Sequence, residues 1–172
     1  RMGDLIQDMN KSKDISMNIS LSGSNLLETG KEIVEYVLDP TQGSIGINGY
    51  RPDNMYDIVN IAKTKAIDSL LDHQYLDVFQ KTYVDVVRNA RDGNLLFQGA
   101  LENGPEIKTT FSDNDFSKSL NMIARTISVH EQLGFKRQVF YVNFYGWDHH
   151  DEVLQNQVDM FNIVNDGLVE FY

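Results

Sequence analysis

Two histidines and two aspartates lie together in the segment 146–151, which reads Gly-Trp-Asp-His-His-Asp. Asp148 and His150 are two positions apart, so in a loop both side chains can reach one ion. Carboxylate oxygen and imidazole nitrogen are good ligands for zinc or manganese. The segment therefore predicts a partial divalent-metal site formed by Asp148 and His150. The accessory candidates beside this pair are His149, Asp151 and Trp147.

The same segment also has a structural interpretation. Two ligands are fewer than the three that a catalytic zinc site usually takes from the protein. Asp148 can instead cap a turn while both histidines lie in solvent, and Asp151 or Glu152 can stabilise the start of the next helix. Trp147 can either shield an ion from water or pack the strand end against the last helix. The residues alone leave these alternatives open.

The predicted elements around this segment support a ligand site there. Residues 138–145 form a nearly unbroken apolar and aromatic run, which is typical of a strand covered on both faces in a parallel sheet. In open α/β sheets, ligands bind at the carboxyl ends of the strands, where helix N-termini also point. A last helix should follow the loop, with an apolar stripe along one side. Its members are Leu154, Val158, Phe161, either Val164 or Asn165, and Leu168.

Two earlier segments also read as strands. Residues 15–21 alternate apolar and small polar side chains, which predicts a strand with one face on the core. Residues 33–38 predict a second strand, or a short helix, that ends at Asp39-Pro40. At the start of the chain, Leu5, Ile6 and Met9 have the spacing of a helix end.

The middle of the chain is rich in helical patterns. One helix should run from about 55 to 71 with Asp53 as its cap, and a second from about 75 to 90, where Asp92-Gly93 would break it. Leu76, Phe79, Tyr83, Val86 and Val87 lie along one side of the second helix. A third, capped within residues 112–115, should extend to Gly134. The predicted class is α/β, with a largely parallel sheet flanked by helices and a helix-rich middle.

Composition excludes several functions. The chain has 172 residues, with 15 Lys and Arg against 25 Asp and Glu, and its formal net charge is −10. No basic run exceeds Lys136-Arg137, so nucleic-acid binding is not expected. There is no cysteine, which excludes disulfides and thiol chemistry, and no apolar run long enough to span a membrane. The glycines at 43, 46 and 49 do not form a dinucleotide-binding pattern, so no nucleotide cofactor is expected.

Two motifs carry a resemblance to a known family. The apolar run 138–145 followed by Gly-Trp-Asp-His-His, and the motif Asn-Ile-Ser-Leu-Ser-Gly at 18–23, resemble signatures of the bacterial domain of unknown function family fifteen-oh-one. Members are placed in the alkaline phosphatase and sulfatase superfamily, and many carry a twin-arginine export signal. The resemblance implies an alkaline-phosphatase-like fold and an exported location, either periplasmic, surface or extracellular.

By this resemblance, Asp148 and His150 stand at the family's Asp and His, and His149 replaces its usual Thr. The superfamily's nucleophilic Ser or Thr and its further ligands belong to segments that this chain does not show, so the catalytic residues are unknown. The chain is interpreted as a single partial domain over 1–172, an internal fragment of a longer chain. The expected function is that of a metal-dependent phosphate or sulfate ester hydrolase, acting on a small ester or surface polymer. The alternative is a non-catalytic exported or surface-associated scaffold that keeps the fold.

Overall fold

A computed structural model describes residues 4–5, 7–10, 14–31 and 33–172 and places three short strands in one sheet. Strand β1 spans Asn18–Ser20, β2 spans Tyr36–Val37 and β3 spans Val139–Tyr141. Both pairings are parallel, and the order is β2-β1-β3. The predicted mixed α/β class with a parallel sheet is confirmed, and residues 33–38 contain a strand rather than a short helix.

Strand β1 is the centre of this sheet and is buried on both faces. Apolar Ile19 and polar Asn18 and Ser20 are all at most 1% exposed. The expectation of one buried face was therefore wrong, because a central strand of a parallel sheet is covered on either side. For β3 the sequence predicted a strand covered on both faces. The strand is only half-buried and pairs with β1 alone among the described strands.

Four α-helices make up a little under half of the described residues. Helix α1 spans Ile58–Asp72, α2 spans Val78–Glu102, α3 spans Asp115–Ser128 and α4 spans Val153–Phe171. At the start of the chain, Asp4 and Leu5 are helical and a 3₁₀ turn covers Gln7–Met9, whereas Ile6 and residues 1–3 lie outside the described residues.

The ends of the helices differ from those predicted. Asp57, not Asp53, caps α1, since its side chain accepts hydrogen bonds from the backbone of Val59 and Asn60. Asn114 caps α3 within the predicted segment. That helix stops at Ser128, and Gly134 instead belongs to the turn that follows, with a φ of 73°.

Helix α2 continues through Gly93, where the sequence predicted a break. A Cβ at this position would lie 3.4 Å from the carbonyl oxygen of Asp14, in the segment that leads into β1. Gly93 therefore lies in the buried contact between α2 and this segment, and a single glycine lowers helix propensity without ending the helix.

The apolar stripes of α2 and α4 face solvent, whereas such a stripe usually indicates the packed side of a helix. Phe79 and Tyr83 of α2 are 82% and 71% exposed. In α4, Leu154 is 82% exposed, and the packed side instead carries Met160, Ile163 and Gly167. The buried core lies between the sheet, α2 and α3. Its fully buried apolar members are Ile19, Leu38, Phe97, Met122, Val129 and Leu133.

The segment before β1 is fastened to the segment before β3 by one side chain. Asn10 accepts hydrogen bonds from the backbone N–H groups of Lys136 and Arg137 at 2.8 and 2.9 Å, and it donates to the carbonyl of Arg137 at 3.0 Å. Val139 then donates to the carbonyl of Met17. These bonds set the register of β3 against β1 across more than a hundred residues of sequence.

Candidate functional site

The predicted metal loop begins shortly after β3, at the carboxyl edge of the sheet. Gly146 has a φ of 101°, in the left-handed region that favours glycine. The loop ends at Glu152, which precedes α4 with a φ of 45° and no capping bond from its side chain. Glu152 therefore occupies the N-cap position of α4, and its carboxylate makes no capping hydrogen bond.

The structure brings Asp148 and His150 together. The Oδ2 atom of Asp148 lies 3.6 Å from the Nε2 atom of His150. Both side chains project into solvent, since their exposed fractions are 93% and 88%. With a protonated histidine the pair is a surface ion pair, which contributes at most about 1 kcal/mol to stability.

The donor chemistry and the spacing of this pair suit one divalent ion. Bonds of about 2.1 Å from an ion to oxygen and to nitrogen can span up to about 4.2 Å between the two donors, and the observed separation is 3.6 Å. However, in the described part of the chain no group of three or more His, Asp or Glu side chains converges on one point. The residues present thus fit half of a metal site.

The accessory candidates have different surroundings from those of this pair. His149 is half-buried, and its Nε2 atom is buried with no hydrogen-bond partner. Asp151 is exposed, and its backbone carbonyl accepts a hydrogen bond from the side chain of Asn156 in α4. Asp151 thereby links the loop to the helix through its backbone.

Trp147 packs the loop onto α4. Its ring lies 5.1 Å from that of Phe161 and 5.8 Å from that of Phe144, measured between centroids. Its indole N–H donates to the carbonyl of Phe144 at 2.9 Å, and Phe144 contacts Phe116 of α3 at 5.5 Å. This aromatic cluster, formed by Phe116, Phe144, Trp147 and Phe161, positions the loop between two helices.

The serines of the Asn-Ile-Ser-Leu-Ser-Gly motif, together with Ser24, are held at the end of β1 and in the turn that follows it. Ser20 Oγ donates to the carbonyl of Gly23, and Ser24 donates to the carboxylate of Glu35. Ser22 Oγ accepts from the backbone N–H of Asn143 at 2.8 Å. The motif therefore ties the end of β1 to the segment that follows β3.

A buried polar network lies beneath the same motif. Asn18 donates to the backbone carbonyl of Glu28 at 2.7 Å, and Asn25 donates to the Glu28 carboxylate at 2.9 Å. Glu28 is only 4% exposed. Its Oε1 atom and the Oδ1 atom of Asn18 are buried without a hydrogen-bond partner. Burial raises the pKa of Glu28, and repulsion from Glu35 raises it further. The hydrogen bond from Asn25 acts in the opposite direction.

Glu28→Gln should stabilise the protein at neutral pH. A carboxyl with a raised folded pKa stabilises the fold fully below its ordinary pKa of about 4.3, and this contribution is lost as pH rises through the folded value. Gln keeps an acceptor for Asn25 and carries no charge, so we expect a gain of about 1 kcal/mol at pH 7 that shrinks towards pH 3. Urea unfolding at a series of pH values measures it.

Glu35→Gln is the matched control of opposite sign. Hydrogen bonds from Ser24 and Thr29 lower the pKa of Glu35, so its carboxylate stabilises the fold at neutral pH, and that contribution is lost as pH falls through the folded pKa. Glu35→Gln should therefore cost stability at pH 7 and little at pH 3. If Glu28→Gln also lowered the free energy of unfolding at pH 7, the buried charge of Glu28 would not be destabilising the fold.

A cleft that the sequence did not reveal lies at the carboxyl edge of the sheet. Its volume is about 920 Å³, and its walls come from the segments after all three strands and from the first turns of α3. The lining side chains that can hydrogen-bond are Ser22, Asp39, Thr41, Asp115, Lys118, Ser119, Asn143 and Tyr145. The available signal was the position of three of these segments, each directly after a strand.

Comparison of the chain with protein-family models, with curated proteins and with solved structures finds no match. Within the described residues, no helix combines the length and apolar character needed to cross a membrane.

Proposed function

We propose that this chain is part of an exported, metal-dependent hydrolase of phosphate or sulfate esters, resembling the alkaline phosphatase and sulfatase superfamily. The observation that supports this is the 3.6 Å separation of Asp148 Oδ2 and His150 Nε2 in the loop that follows β3 at the carboxyl edge. That edge is where parallel α/β sheets bind ligands.

In this proposal Asp148 and His150 hold the ion, and the loop keeps them in place. The aromatic cluster fixes the start of the loop, and the bond from Asn156 to the carbonyl of Asp151 fixes its end. A bound zinc or manganese ion would supply Lewis-acid stabilisation of charge on the transferred group. The proposal requires at least one more ligand and a nucleophile from residues outside this described site.

A second candidate function is a non-catalytic, exported or surface-associated scaffold. It is favoured by the solvation of the same pair, because both side chains are more than four-fifths exposed and catalytic ions usually occupy enclosed sites. In a scaffold the loop would serve only to connect β3 to α4.

Metal content distinguishes the two candidates. In the full-length protein we expect stoichiometric zinc or manganese, with an affinity reduced at least about 10-fold by Asp148→Ala and by His150→Ala. His73→Ala is the control, since His73 is an exposed imidazole at the end of α1 whose ring contacts only the neighbouring Tyr75 among the described aromatic pairs. Elemental analysis and competition with a zinc-binding dye measure the effect.

Turnover of aryl phosphate and aryl sulfate esters by the same samples tests the hydrolase itself. Activity that disappears with the metal in both variants supports the proposal. Metal without turnover leaves a passive metal binder, and the absence of metal from the wild-type protein favours the scaffold. Fractionation of cells that produce the full-length protein tests the exported location separately.

A further inference from the structure

The cleft lies at the point where the chain changes direction across the sheet. The connection from β1 leads to β2 on one side, and the connection from β2 returns to β3 on the other side of β1. In sheets with this order, the crevice between the loops after β1 and β3 is where ligands bind. Here the hydrogen bond from Asn143 to Ser22 holds these loops in place, and the volume of about 920 Å³ suits a small organic ligand.

The charges that line the cleft disfavour an anion. Among the described residues that line the cleft, Lys118 is the one basic side chain, and its ammonium group is 2.6 Å from the carboxylate of Asp113. Asp39 and Asp115 also line the cleft, so the ionisable side chains around it carry a net negative charge that disfavours a phosphate or sulfate. Carboxylates in such a site instead accept hydrogen bonds from neutral hydroxyl groups.

Asp39 is held ready to accept such a bond. Its Oδ1 atom accepts from the backbone N–H groups of Thr41 and Gln42 at 2.8 and 2.7 Å, which fixes the orientation of the side chain in the turn after β2. The second carboxylate oxygen remains to receive a ligand hydroxyl. The hydroxyl groups of Ser22 and Thr41, which also line the cleft, can both donate and accept.

An aromatic surface completes the cleft. Tyr145 lines it and is 72% exposed, although a large aromatic side chain gains stability from burial. The preceding residue, Phe144, is fixed by its contacts with Phe116 and Trp147, so the backbone that carries Tyr145 is anchored. A flat amphipathic ring beside carboxylates and hydroxyls matches the two sides of a sugar, whose C–H face is apolar and whose edge is rich in hydroxyl groups.

We propose that this cleft is a binding site for a neutral carbohydrate, in which Asp39 and Asp115 accept hydrogen bonds from sugar hydroxyls and Tyr145 stacks on the ring. The site is distinct from the Asp148 and His150 pair, and the inference does not depend on the bound ion.

Calorimetric titration of the full-length protein with maltotriose, cellotriose and chitotriose tests the proposal. We expect at least one of them to bind saturably, and Tyr145→Ala to weaken that binding about 10-fold through loss of stacking and of the hydroxyl. Tyr145→Phe, which keeps the ring, should stay within about 3-fold of the wild type. Tyr83→Ala is the control, because Tyr83 in α2 is equally exposed at 71% and lies outside the cleft lining.

Three results would overturn the inference. One is that none of the three saccharides binds at concentrations up to about 10 mM. Another is that sodium phosphate or sulfate binds in their place and depends on Tyr145. The third is that Tyr83→Ala weakens saccharide binding as much as Tyr145→Ala does. Repeating the titration with Asp148→Ala separates the two proposals, since saccharide binding should persist in that variant even if the metal is lost.

Discussion

Phe97→Ala should destabilise the protein by about 3–5 kcal/mol. Phe97 lies in α2 and is 0% exposed. Its ring is 5.8 Å from that of Tyr36 in β2, and it lies so close to the loop after β2 that a Cβ at Gly43 would be 3.3 Å from it. Truncation therefore loses apolar burial and leaves a cavity between the longest helix and the sheet.

Urea unfolding measures this loss as a lower midpoint with an unchanged slope. Phe79→Ala, in the same helix, is the matched control. Phe79 is 82% exposed, so its truncation should change the free energy of unfolding by no more than about 0.5 kcal/mol. If Phe97→Ala does not fold, Phe97→Leu should still show a loss of about 1 kcal/mol. Equal losses at positions 97 and 79 would contradict the described packing of α2.

Gly167→Leu should disrupt the packing of α3 on α4 and cost about 2 kcal/mol. A Cβ at Gly167 would lie 2.9 Å from the ring of Phe116 and 3.2 Å from the side chain of Leu120, which is buried. The two helices must therefore separate or rotate. That outweighs the gain of up to about 1 kcal/mol expected when a helical glycine is replaced by a better helix former.

The same substitution at Gly99 in α2 is the control of opposite sign. A Cβ there would meet nothing within 4 Å, so Gly99→Leu should stabilise the protein slightly. The chain has one tryptophan, and Trp147 contacts Phe161 of α4, so its fluorescence reports on the loop directly. We expect a changed emission spectrum in native Gly167→Leu and an unchanged one in Gly99→Leu. Stabilisation by both substitutions would show that α3 and α4 are not in close contact.

The local elements were largely readable because their signals are local. Alternation over residues 15–21, the turn at Asp39-Pro40 and the capping residues at 112–115 each depend on side chains only a few positions apart. The corresponding elements, β1, β2 and α3, occur in the structure. The wrong start of α1 has the same origin, since both Asp53 and Asp57 are possible caps and only the backbone angles and hydrogen bonds of the folded chain select Asp57.

Burial was harder to predict than the type of element. The apolar stripe of α2 reads as a packed face, yet Phe79 and Tyr83 are exposed. In α4 the packed face is set by Gly167, because the absence of a side chain there lets Phe116 and Leu120 approach. Which side of a helix is covered depends on what packs against it, and hydrophobic periodicity does not carry that information.

For the candidate site, the sequence determined the position of Asp148 and His150 after a strand, and with it the possibility that the two side chains share an ion. Only the tertiary structure decided that they are solvated, that His149 turns a ring nitrogen inward without a partner, and that residues after three strands and at the start of α3 enclose one cleft. The physical reason is distance along the chain. Parallel strands bring together the carboxyl ends of β1 and β3, which are more than a hundred residues apart, and a local sequence pattern carries no information about that contact.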